Sequence, residues 1–149
     1  MRPAGIADLA ALMRLETAGF PGDRMARRSL RRLLGRPTAQ VLVAVAAGSA
    51  VGYAMVLLRK GSRAARLYSL VRDAGSARRG VGGALLAAAE RAAVARGAAE
   101  MRLEVRTDNA AAIRLYERHG YEVFARIADY YEDHADALRM RKSLTEGDP

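Results

Sequence analysis

Three features of the chain predict a single α/β (α+β) domain. Six short runs have the apolar alternation of strands, and four stretches have the wider apolar spacing of helices. A glycine-rich turn within SARRGVGGALL (residues 76–86) joins one strand to the longest helix. With 149 residues the chain is long enough for one core and short for two, and no repeat, low-complexity segment or linker divides it.

In chain order, Asp8 heads DLAALMRLETAGF, an amphipathic helix with Asp8 as its N-cap. FPGD, with Phe20, breaks that helix, and an arginine-rich helix follows within residues 24–36. Three strands come next, AQVLVAVAAG, AVGYAMVLLRK and AARLYSLVR, the first two meeting at a Gly48-Ser49 hairpin signal. GVGGALLAAAERAAVARG is the long helix, with Gly97 at its C-terminal end. MRLEVRT alternates, so Met101, Leu103 and Val105 share one face while Arg102, Glu104 and Arg106 share the other. A short helix begins near Asp108 and Asn109 and ends at Gly120. YEVFARI and ALRMRKSL close the domain as strands, around the acidic loop DYYEDHAD, and residues 144–149 read as a flexible tail.

Composition excludes several classes of function. No run of about 18 apolar residues is present, so no membrane-spanning helix is expected. The first residues carry acids within their apolar pattern, unlike a signal peptide. Without cysteine there is no disulfide, thiolate nucleophile or thiolate metal site, and the cytoplasm is the expected compartment. The net charge of +9 comes from 23 arginines against only Lys60 and Lys142, scattered except in residues 24–36. There Met25, Leu30, Leu33 and Leu34 can face the core while the arginines stay in water, so an anionic ligand explains the charge better than a nucleic acid does. His119 and His134 show no metal-ligand spacing, and no metal is expected.

The glycine turn carries the chemical signal. The start of a helix offers unpaired N–H groups and a partial positive charge, and glycines let an anion's oxygens approach the backbone. Gly80, Gly82 and Gly83 lie after a strand and before a helix, the context such a site requires. No Lys-Ser/Thr follows them, and the G-x-G-x-x-G fingerprint is absent, which removes nucleotide hydrolysis and dinucleotide binding. On physics alone, glycines that merely permit tight helix packing explain the pattern too.

LYSLVRDAGSARRGVGGALLAAAERAAVARGA and then MRLEVRTDNAAAIRLYERHGYEV resemble the acyl-CoA-binding half of a GNAT-superfamily N-acetyltransferase. Leu103-Glu104-Val105, the run from Asn109 to Tyr121, and Tyr130-Tyr131 followed by Asp136-Ala137-Leu138-Arg139-Met140 resemble the branch that acetylates the N-terminal alanine of a ribosomal protein. The likeness is strong over about residues 65–143; before that it extends to element order and the break at Phe20. It implies a mixed sheet of six to seven strands flanked by about four helices, with acetyl-CoA held over about residues 65–119. In the family pattern, Leu70, Val71 and Arg72 line the donor's arm, and Ala77, Arg78, Arg79, Gly80, Val81, Gly82, Gly83 and Ala84 surround its pyrophosphate. Asn109, Ala112 and Tyr116 complete that set. Two positions depart from the pattern. Ala77 stands where the family has Arg or Gln, which removes one charge-assisted contact of about 1.5–3 kcal/mol. Arg72 stands where an apolar residue is usual, so the strand is expected to shift by a residue near Val71 and Arg72.

The resemblance also implies roles. Glu104 is the general base and Tyr116 the general acid that protonates the departing thiolate, while Phe20, Glu104, Tyr130 and Tyr131 meet the acceptor. From alternation alone Glu104 is equally a solvent-facing member of a charge ladder, and Tyr116 a packed helical aromatic. At pH 7 an α-amine of pKa about 7.7–8.0 is roughly a tenth neutral, whereas lysine at about 10.4 is neutral roughly once in 2,500. The difference, about 3.5 kcal/mol, makes one carboxylate acting through water sufficient for an α-amine. The acceptor is thus a peptide or protein N-terminus or a small amine; lysine, polyamine and aminoglycoside acceptors stay open, as does a CoA-binding module without catalysis. A monomer or a homodimer fits equally.

Overall fold

The computed structural model describes residues 1–19, 27–73 and 80–144. Its seven strands are β1 (Arg2–Pro3), β2 (Ala39–Ala46), β3 (Ser49–Leu57), β4 (Ala64–Arg72), β5 (Glu100–Arg106), β6 (Glu122–Ile127) and β7 (Ala137–Ser143). They form one mixed sheet in the order β1-β2-β3-β4-β5-β7-β6, in which only β4 and β5 run parallel. The helices among the described residues are α1 (Leu9–Gly19), α2 (Arg27–Leu34), α3 (Val81–Ala95) and α4 (Ala110–Arg118).

Two cores sandwich the sheet. On one face α3 and α4 bring Leu85, Leu86, Ala89, Ala93 and Tyr116 onto Val56, Leu67, Met101, Leu103, Val105 and Met140. On the other, Leu9, Leu12 and Leu15 of α1 and Leu30 of α2 cover Val41, Val43, Tyr53, Met55 and Val71. Leu30 is fully buried while Arg27, Arg28, Arg31 and Arg32 are exposed, the wet arginine face that the spacing of α2 predicts. The second core reaches no further than β4. Among the described residues, the same face of β5, β7 and β6 is therefore left to charged side chains, Glu104 among them, and to Phe124, over whose ring Arg102 and Arg141 sit at 5.5 and 4.7 Å.

Three local findings differ from expectation. Asp8 does not cap α1; it closes the short 3-10 turn before it, accepting the Gly5 N–H at 2.8 Å while Arg2 holds it at 2.8 Å. Those hydrogen bonds, Arg2 first, draw its carboxyl down to about 2. The hairpin turn lies one residue early, on Ala47 and Gly48, both at positive φ. The third difference is an extra residue in β4. Met55 pairs with Ser69 and Val56 with Leu67, so Tyr68 has no partner on β3. This bulge switches the parity of the strand: Leu67 faces α3, whereas Val71 faces α1. Near Val71 and Arg72, where a shift is expected, the strand stays in register with Tyr53 and Gly52; the irregularity falls at Tyr68.

The break at Phe20 and the loop residues Ala77, Arg78 and Arg79 lie outside the described residues, as does the tail beyond residue 144. No helix of the described residues is long and apolar enough to cross a membrane.

Candidate active site

The site begins where the sheet comes apart. β4 and β5 pair only over residues 64–67 and 100–103. Past Leu67 and Leu103, β4 continues on β3 and β5 continues on β7. The two edges that face each other in the middle of the sheet thus carry N–H and C=O groups outside any ladder, which is costly in a covered sheet unless something else meets them. The parting coincides with the Tyr68 bulge, since a bulge increases local twist and turns the strand away from its neighbour. Leu70, Val71 and Arg72 form the β4 side of this gap; Leu70 packs toward α3, Val71 is buried toward α1, and Arg72 is exposed.

Both helices on the α3 face start at the open end of the gap, because β4 and β5 are parallel and each is followed by a helix. Gly80 is the N-cap of α3 at φ +79°, a left-handed conformation that a side chain resists, and a Cβ there would meet nothing within 4 Å. Val81, Gly82, Gly83 and Ala84 form the first turn; Ala84 N–H closes it on the Gly80 carbonyl at 2.9 Å, leaving the N–H groups before it outside the helix ladder. Gly82 and Gly83 have a different task. A Cβ on Gly82 would meet Leu115 at 3.3 Å, and one on Gly83 would meet the His119 ring at 3.1 Å. These two glycines let α3 and α4 close together, so the packing explanation holds for them, whereas Gly80 answers to its left-handed backbone. Asn109 caps α4, its side-chain oxygen accepting the Ala112 N–H at 3.2 Å.

On the opposite face of β5, Glu104 is gripped by two arginines. Arg66 of β4 donates Nε–H to Oε1 at 2.8 Å, and Arg139, directly across on β7, donates to Oε2 at 3.1 Å. Only 9% of the Glu104 side chain is exposed. Arg66 also donates to the Tyr130 hydroxyl at 3.0 Å. Burial is the largest single influence on Arg66 and lowers its pKa, but the Glu104 charge and hydrogen bond, with Tyr130 and Tyr68, together outweigh it, and the net direction is upward. Tyr130 and Tyr131 meet edge to face at 5.0 Å, and Arg106 lies 4.9 Å from the Tyr131 ring, so both tyrosines are fastened beside this cluster. A carboxylate that serves two guanidiniums still has lone pairs for one water, which is what relayed proton abstraction requires.

Tyr116 lies on the α3 face, 8% exposed, edge to face with Tyr121 at 5.8 Å. Its hydroxyl has no hydrogen-bond partner among the described residues, yet it is not a sealed, unsatisfied group. Burial, and then Tyr131, push its phenol upward, so it keeps its proton at any working pH. Tyr121, by contrast, donates to Glu90 at 2.9 Å, and Lys142 holds the same carboxylate at 2.8 Å.

Sequence reasoning missed Arg66 and Arg139, which look like ordinary outward members of their strands. The signal for both was parity: each lies on the Glu104 face, one diagonal to it and one opposite. It also missed Glu16, 3% exposed on α1 and hydrogen-bonded to the buried Tyr53 hydroxyl, which lies 3.0 Å from Ser69 just past the bulge. This buried polar contact ties α1 to the strand at the point where the gap opens.

The fold is that of a GNAT domain. Residues 9–121 match the Acetyltransferase (GNAT) family, and the chain belongs to it; acetyl-CoA is the donor that the family uses. Over 150 residues, 99% of the chain, it is 35% identical to the mycothiol acetyltransferase of Geodermatophilus obscurus and covers 44% of that protein. The chain spans less than half the length of two curated relatives that it matches, 25% of one and 44% of the second. Among solved structures, the ribosomal-protein-S18-alanine N-acetyltransferase from Escherichia coli has a TM-score of 0.86 at 25% identity, over 97% of this chain and 93% of that one. Ard1 from Thermoplasma volcanium has a TM-score of 0.85 at 29% identity, over 97% of each chain.

Proposed function

We propose that the protein transfers the acetyl group of acetyl-CoA to a primary amine, most concretely the α-amine at the N-terminus of a peptide or protein. The observation that carries this reading is the gap between β4 and β5, with its unpaired backbone edges and two helix starts at its open end. An amide-bearing arm ending in a pyrophosphate fits that surface: strand edges for the amides, and for the anion the Gly80 turn and the Asn109 cap. Leu70, Val71 and Arg72 flank the arm, while Val81, Gly82, Gly83, Ala84 and Ala112 supply the walls and N–H groups of the two helix starts. Ala77, Arg78 and Arg79 precede them in sequence. CoA itself supplies an activated acetyl thioester.

Glu104 and Tyr116 belong to opposite faces of the sheet at this gap, and that division suits the two proton transfers. Glu104 takes a proton through water from the acceptor ammonium on its side. The freed amine attacks the thioester carbonyl and forms the new C–N bond, the C–S bond breaks, and Tyr116 gives its proton to the leaving sulfur on the other side; the attacking nitrogen's second proton leaves to water, from which Tyr116 is reprotonated. A phenol held protonated by burial is the right donor for a thiolate whose acid has a pKa of about 8.5. Tyr130 and Tyr131 line the acceptor's approach; Phe20, outside the described residues, is assigned to the acceptor by the family resemblance alone.

The test is CoA release with three peptides: a free N-terminal alanine without lysine, its N-blocked form, and an N-blocked peptide containing lysine. Turnover of the first alone is expected. Turnover of the third instead moves the acceptor to side-chain amines, and silence on all three overturns the reading.

A further inference from the structure

The arginines around Glu104 have a consequence beyond the catalytic step. Two guanidiniums, Arg66 and Arg139, share one carboxylate. One positive charge is therefore left over inside the cluster, and it is not sealed away, since those side chains are 44% and 38% exposed. The charged strip continues along the strands. Arg102 and Arg141 are paired across β5 and β7, on the same face, with only Glu100 bonded to Arg102. Across this strip four arginines meet three carboxylates, Glu104, Glu100 and Glu122, the last opposite Arg141, and among the described residues no helix of the second core covers it. Phe124 is set between Arg102 and Arg141 and offers one apolar surface within the charge.

We infer that Arg66 and Arg139 determine acceptor specificity, and that the preferred acceptor is a peptide with an acidic residue directly after its free N-terminal amine. This inference rests on the function proposed above and names its substrate class. A carboxylate one residue from the reacting amine would meet guanidinium N–H groups whose fork geometry suits it, and it would neutralise the surplus charge that Glu104 leaves. A basic residue at that place would add like charge to a cluster already in excess, which rejects it. The same surplus disfavours the ammonium form of the acceptor amine, so the nucleophile arrives more often neutral. Polycationic acceptors are the class that the strip repels.

The experiment compares kcat/KM for three peptides identical except at the second residue, which is glutamate, alanine or lysine after an N-terminal alanine. Glutamate is expected to exceed lysine by about tenfold or more, the range of one charge-assisted contact. Raising the salt should shrink the ratio. In Arg139→Gln, and separately in Arg66→Gln, the ratio should fall toward one, while Arg139→Lys should restore part of it. Because the readout is a ratio within one variant, a general loss of rate or folding does not mimic the result. Equal rates for all three peptides, a lysine preference, or an unchanged ratio in both glutamine variants would overturn the inference and leave the proposed function standing. No turnover of any of the three would overturn both.

Discussion

Glu104→Gln separates the chemical role of this residue from its structural one. The carboxylate has 9% exposure and accepts from Arg66 at 2.8 Å and Arg139 at 3.1 Å, one guanidinium on each oxygen. A glutamine keeps one of those oxygens and puts an N–H₂ where the other was, so N–H faces N–H and one charge-assisted bond is lost. A bond of that kind contributes about 1.5–3 kcal/mol, reduced to about 1–2 kcal/mol here because both arginines are partly in water. For a domain of this size that is a fall in Tm of about 2–8 °C. The catalytic loss is larger, about 10²–10⁴-fold in rate at pH 7 if Glu104 takes the proton. It should narrow above pH 8, where an α-amine is mostly neutral before it arrives. CoA release is measured between pH 6.5 and 9 at 25 °C, with melting followed on the same samples and CoA affinity by titration. The expected outcome is a modest Tm loss, unchanged CoA affinity and a rate deficit that shrinks with pH. A variant that melts lower but turns over at the parent's rate would refute Glu104 as the base and leave it as the pin for two arginines.

Four further outcomes follow from the same geometry. Tyr116→Phe removes a hydroxyl without a hydrogen-bond partner among the described residues, so Tm should stay within about 2 °C. Its kcat should fall by about 10²-fold or more, and a parent-like kcat would remove Tyr116 as the acid. Tyr53→Phe strips a fully buried donor from Glu16, which is itself 3% exposed and keeps Ser69 at 3.4 Å, whereas Tyr121→Phe acts on the less buried Glu90, which keeps Lys142 at 2.8 Å. The first should therefore cost more stability than the second by denaturant titration, by about 1–2 kcal/mol. Gly52→Ala sets a Cβ 2.7 Å from the Val71 carbonyl and 2.8 Å from Leu85, at the junction of β4 and α3. That crowding should cost about 1–3 kcal/mol and weaken CoA binding in calorimetry, with parent-like values in both counting against the packing described. Ala77→Arg should tighten CoA by about tenfold or more if the family's charged position is simply vacant; an unchanged affinity would mean that the neighbouring arginines already serve it.

Much of this was legible in the chain because periodicity is a direct consequence of burial. The six longer strands and four helices could be read, and the parity of MRLEVRT set Glu104 apart from the core face that Met101, Leu103 and Val105 share. β1 was not legible, since two residues cannot show a period; its existence rests on Arg2 and Pro3 meeting Val43 and Leu42. The Tyr68 bulge escaped because LYSLVR reads as unbroken alternation, and only the pairing with β3 shows which residue is extra. Arg66 and Arg139 escaped for another reason. Their letters are those of ordinary outward strand positions, and their meaning comes from Glu104, which lies 38 and 35 residues away along the chain. The glycine run was half legible: its place before a helix marked Gly80, but nothing in the letters showed that Gly82 and Gly83 answer to α4.

The extra residue at Tyr68 also says which kind of change could abolish the site. Its neighbours already face the sides that a regular strand would give them, Leu67 toward α3 and Ser69 toward Tyr53. Deleting one residue there, with no substitution at all, would leave a continuous ladder with β3 and let β4 run on beside β5. Such a chain would be the sturdier sheet and the poorer enzyme, with the interior backbone satisfied by its neighbour instead of by a ligand. Access to the middle of this sheet is thus encoded as an insertion, a feature of chain length that no comparison of side chains alone would detect.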